Sequence, residues 1–95
     1  MDRTVIRANS SLRDLRRSEQ YLRKHEPVVM SHIRAEVRRI EANPYLSQLV
    51  ESLESETIRE TFAASYRIFF ELNEVERRIE IVRVWHASRE EPTFD

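Results

Sequence analysis

Arginine dominates the reactive side chains of this sequence. Fifteen arginines stand beside a single lysine, Lys24. A guanidinium is a planar, permanently charged fork that meets phosphate or carboxylate oxygens two at a time. Histidine, which can exchange a proton near neutral pH, occurs at positions 25, 32 and 86. Cysteine is absent, which removes disulfides, thiolate zinc sites and thiol nucleophiles together. Glycine is absent too, so neither a phosphate-cradling P-loop nor a dinucleotide-binding GxGxxG can be built. His25 and His32 sit seven positions apart with no third ligand near them, so no metal site is expected, and a chain of 95 residues leaves no room for a buried cofactor beside a separate substrate domain. The net charge is −1 and the pI about 6.3. That balance speaks against strong nonspecific binding to nucleic acid, and most helix arginines read as solvated or paired with glutamates.

The elements that position these groups follow from hydrophobic period. Thr4 to Ala8 reads as a short strand, closed by Asn9, Ser10 and Ser11. Ser11-x-x-Asp14 resembles a capping box and would start a helix running to about Lys24, with Leu12, Leu15 and Leu22 on its narrow apolar face. Pro27 suits the first turn of a second helix, in which Val29, Ile33, Val37 and Ile40 recur at spacings of four, four and three. Asn43-Pro44 ends it. The few residues around His25 and Glu26 would join the two as an antiparallel hairpin. Tyr45 to Glu56 fits either a short helix or an extended segment. From Thr57 the period becomes two. Thr57–Ala63, Tyr66–Leu72 and Arg78–Trp85 read as strands. Tyr66, Ile68, Phe70 and Leu72 should face the helices, and Arg67, Phe69 and Glu71 the other way. In the last strand, Ile79 and Ile81 should oppose Val82 and Val84.

These elements predict an α+β fold of order β-α-α-β-β-β. A helical hairpin packs on one face of a small, mostly antiparallel four-stranded sheet. Residues 1–95 form one domain, with residues 87–95 expected to be a mobile tail. The second sheet face, carrying Arg67 and Phe69, is left without a covering element and is therefore a candidate partner surface. No membrane-length apolar run or secretory signal is present, which points to the cytoplasm. An unpaired sheet edge could support a homodimer.

The stretch YRIFFELNEVERRIEIVRVWHASRE resembles the C-terminal hairpin of RelE/ParE-family toxins. In that family a Tyr-Arg-Ile strand leads to an Ile-x-x-x-Arg-Val-x-His strand with an arginine close behind. SLRDLRRSEQYLRKHEP and VRRIEANPYLSQL resemble its helical hairpin and the Asn-Pro that follows. The resemblance implies the toxin of a bacterial toxin–antitoxin pair, wrapped by a cognate antitoxin. It implies two branches: ribonucleases that cut messenger RNA on the ribosome, and ParE-like poisons of DNA gyrase with no hydrolytic site. In the nuclease branch, Arg67 matches the arginine that holds the scissile phosphate. Arg59 stands where a second basic residue is common. His86 matches a strand-end general acid, and Arg89 lies near a C-terminal arginine that helps at the phosphate. Cleavage by the RNA's own 2′-hydroxyl also needs a base, for which Glu51 and Glu60 are both available. We read the sequence first as a growth-arresting toxin that cleaves mRNA on the ribosome, a metal-independent endoribonuclease. The alternatives are a non-catalytic gyrase inhibitor and an inactive relative that only binds its antitoxin.

Overall fold

The computed structural model describes residues 3–50 and 57–94. The elements run β1 (Thr4–Arg7), α1 (Asn9–His25), α2 (Pro27–Ala42), a 3-10 turn (Pro44–Leu46), β2 (Gln48–Leu49), β3 (Ile58–Ala63), β4 (Tyr66–Asn73) and β5 (Arg78–His86). The sheet order is β1-β5-β4-β3-β2. β1 lies parallel to β5, and every other pair is antiparallel. This is the expected β-α-α-β-β-β order, with a two-residue strand added at the outer edge, in the segment whose pattern was ambiguous. Leu53, also in that segment, falls outside the described residues. Among the described residues no helix is long and apolar enough to cross a membrane.

The capping box does not form. α1 begins at Asn9, its N-cap Ala8 makes no side-chain cap, and the Ser11 hydroxyl donates to the Ala8 carbonyl at 2.9 Å. The sheet supplies the reason. β1 stops at Arg7, while β5 continues to His86 and its outer edge still needs partners. The first turns of α1 provide them. Ala8 N–H donates to the Ile81 carbonyl (2.9 Å), Ser10 Oγ to the Val82 carbonyl (2.6 Å), and Val84 N–H to Asp14 Oδ2 (2.9 Å). Asp14 also takes a two-point ion pair from Arg83, at 2.9 and 2.8 Å. α1 is thus stitched to the sheet by polar groups, and only then by its apolar face.

Glu26 alone separates the helices, and Pro27 starts α2. Leu22, Ile33 and Ile40 are buried against Tyr66, Ile68, Phe70 and Leu72 of β4, as the two periodicities require. α2 is further anchored to β3. Thr61 Oγ1 donates to Glu36 (3.0 Å) and accepts from Arg39 (3.0 Å), and Glu36 and Arg39 pair with each other.

Two further expectations fail. Phe69 faces Arg83 whereas Phe70 faces Ile81, so Val82 is an extra residue in β5, a β-bulge. Past the bulge the alternation inverts. Val84 joins Ile79 and Ile81 in the helix-side core instead of opposing them. The second sheet face is also covered rather than bare. Phe69 is fully buried there with Val50 and Trp85, flanked by Ile58, Val82 and Phe94. Part of the cover is the chain's own tail, in which Phe94 packs against this cluster and Pro92 is buried.

Candidate functional site

Arg67 is the second residue of β4, paired with Phe62 on one side and Trp85 on the other. Its guanidinium lies over the Phe69 ring, 4.7 Å from the centroid, on the tail-covered face. Nε donates to Glu60 at 2.5 Å, and Nη1 and Nη2 donate to the two Glu91 oxygens at 2.8 and 3.3 Å. The Glu91 hydrogen bond, opposed by burial and reinforced by Glu60, raises its pKa above the usual arginine value. Only 14% of the side chain is exposed. The fork is full. Glu60, a candidate base, is committed to it, and Glu51 lies outside the described residues.

His86 ends β5 opposite Tyr66 and meets that ring edge-on, 5.2 Å between centroids. Tyr66 belongs to the helix-side core, so His86 projects toward the helices. Its Nδ1 accepts the Ser88 N–H at 3.1 Å, which leaves the proton of a neutral ring on Nε2. An open groove of about 440 Å³ holds His86 with Arg17, Ser18, Ser88 and Arg89. The Arg89 guanidinium meanwhile sits 3.7 Å from the centre of the Trp85 ring, so this arginine spans the end of the sheet between the two faces.

The bulge decides this arrangement. Plain alternation along β5 would send His86 out with Val82 and Val84, onto the face that carries Arg67. The extra residue turns it to the other side. Arg59 goes elsewhere again. It pairs with Phe70 and Leu49, donates Nη1 to the Ser47 carbonyl (2.6 Å) and lies 5.1 Å from the Tyr45 ring centre. There it lines a shallow depression of about 480 Å³ with Tyr45, Glu71 and Glu74. The four candidate residues therefore occupy three places. His86 and Arg89 share one, while Arg67 and Arg59 stand apart on opposite faces.

The structure adds Arg83, which the sequence reading left without a role. It bridges Asp14 to the Thr93 carbonyl (2.9 Å) and lies 4.5 Å from the Trp85 ring centre. Its place in the Ile-x-x-x-Arg-Val-x-His run was the available signal. A separate apolar groove of about 360 Å³ opens between the helices and β5, floored by Leu15, Met30, Ile33 and Val37 and lined also by exposed Arg7, Arg16 and Arg34. Among the described residues no group of three His, Asp or Glu side chains could hold a metal ion.

Residues 5–91 match the profile of the family described as the ParE toxin of the type II toxin–antitoxin system parDE. The chain belongs to the ParE toxin family. It is the toxin of a type II toxin–antitoxin system. The fold is shared with the toxin–antitoxin complex RelBE2 from Mycobacterium tuberculosis, at a TM-score of 0.67 and 17% identity over 90% of this chain and 99% of that one. No curated protein sequence matches it. In this ParE-family toxin, a phosphate could reach Arg67 only by displacing Glu91, and His86 would then face away from it. The groove at His86 offers a proton donor, Nε2–H, beside two guanidiniums, Arg17 and Arg89, which suits binding an anion.

Proposed function

We propose that this toxin arrests growth by gripping its target rather than by cutting RNA, with DNA gyrase as the target that the ParE branch implies. The observation carrying this reading is the separation of Arg67 and His86 onto opposite faces of the sheet. Its partner is an antitoxin, as in the RelBE2 complex. The apolar groove flanked by Arg7, Arg16 and Arg34 fits an amphipathic helix with an acidic border. The test is a purified supercoiling assay alongside induced expression of wild type and His86→Ala. Gyrase should be inhibited, DNA synthesis should fall before protein synthesis, and the histidine variant should stay toxic. Intact supercoiling sinks the proposal.

A second reading, ribosome-dependent mRNA cleavage, is favoured by the meeting of His86 and Arg89 in one groove with Arg17. It expects protein synthesis to fall first and His86→Ala to lose toxicity.

A further inference from the structure

Residues 90–94 double back along the sheet face opposite the helices without forming a strand. Their contacts are those of a bound peptide. The Glu90 carbonyl accepts the Trp85 indole N–H at 2.6 Å. Glu91 fills the Arg67 fork, and the Thr93 carbonyl accepts Arg83 Nη1 at 2.9 Å. Pro92 is buried, and Phe94 stands edge-on to Phe69 with 5.0 Å between centroids. Among the described residues, no backbone–backbone hydrogen bond involves 90–94. Each of these hydrogen bonds has a side chain on at least one end, and a segment held this way can leave without breaking strand pairing.

Its departure would bare Phe69 and Trp85 among three guanidiniums, those of Arg67, Arg83 and Arg89. An apolar strip bordered by arginine forks is a surface that takes a ligand. We propose that this face is a recognition slot for an extended acidic segment of a partner protein, patterned carboxylate-Pro-x-aromatic, and that the chain's own Glu91–Phe94 is its resident occupant. Arg67 selects the carboxylate, Trp85 and Arg83 read two backbone carbonyls, and Phe69 receives the aromatic ring. A longer segment supplying the same contacts and more would displace the resident one. The slot is independent of whichever target the toxin attacks.

Trp85 is the sole tryptophan and lies in the slot, so its emission reports occupancy. The chain shortened to end at Arg89 is titrated with a peptide of sequence EEPTFD. A saturable change in emission is expected, weakened about tenfold or more by Glu91→Gln or Phe94→Ala in the peptide. Full-length chain should bind the peptide about tenfold more weakly, because its own tail competes. No change in a shortened chain that keeps its native circular dichroism overturns the proposal, as does equal binding by both chains. Should the shortened chain not fold, full-length protein carrying Glu91→Gln and Phe94→Ala must bind the wild-type peptide, and failure to do so is equally decisive. A full-length dimer that forms by exchanging tails would assign the slot to a second copy and overturn the partner reading.

Discussion

Glu74 joins parts of the chain far apart in sequence. Arg3 donates Nε and Nη2 to its two oxygens at 2.8 and 2.9 Å, the Tyr45 hydroxyl donates at 2.6 Å, and Arg77 stands 3.7 Å away. The hydrogen bonds from Arg3 and then Tyr45 lower its pKa from 4.5 to about 2. A carboxylate whose pKa falls on folding stabilises the fold above its unfolded value. That contribution fades as pH drops from 4.5 and is gone below about 2. A side-chain carbon NMR titration should place the Glu74 midpoint near 2, and Arg3→Ala should move it upward. A midpoint left unmoved would mean that Arg3 is not the cause. The site is open to water, so added salt should weaken the effect.

At the scale of elements, Asp14 is the pin between α1 and β5. It is buried beneath Arg83 and also satisfies the Val84 N–H. Asp14→Ala would leave the Val84 N–H without its acceptor and Arg83 without its carboxylate, and the expected cost is about 3 kcal/mol in urea unfolding. A loss below about 0.5 kcal/mol, typical of a surface substitution, would show that the helix docks by its apolar face alone. Asp14 also marks the limit of what the sequence could tell. α2 and β4 were legible because Val29, Ile33, Val37 and Ile40 keep the helical period and Tyr66 to Leu72 the strand period. The bulge was not. Ile79, Ile81, Val82 and Val84 are all β-branched, and nothing local marks which of them is extra. The candidate site suffered most from this. Arg59, Arg67, His86 and Arg89 could be named by motif, but which face each reaches depends on register and on that one inserted residue. The start of α1 was misjudged for a related reason, since an unpaired strand edge outweighed a local capping pattern.

Across the whole molecule, the sheet is a wall between two unequal cores. Phe70 lies on the helix side and Phe69 on the tail side, and both are fully buried. Their neighbours differ in stiffness. Phe70 is enclosed by two helices and the sheet, whereas part of the cover over Phe69 is a segment that can shift into a void. Large-to-small changes cost less where the surroundings can collapse. Phe70→Ala should therefore cost about 4–5 kcal/mol and Phe69→Ala about 3 kcal/mol, measured by urea denaturation. Equal costs would mean that the tail is as firmly packed as the helices. A domain of this size has only about 5–15 kcal/mol to lose, so the Phe70 variant should sit near the edge of folding.

The pairing of β1 with β5, Thr4 beside Arg78 and Arg7 beside Ile81, has a consequence for the cell that makes this protein. The first strand has no strand neighbour until the last has been synthesised, and the helix-side core lacks Ile79, Ile81 and Val84 until then. Contacts so distant along the chain form late. A growing chain on the ribosome therefore lacks that pairing and that part of the core for most of its synthesis. The toxin's fold closes only once β5 has joined the sheet.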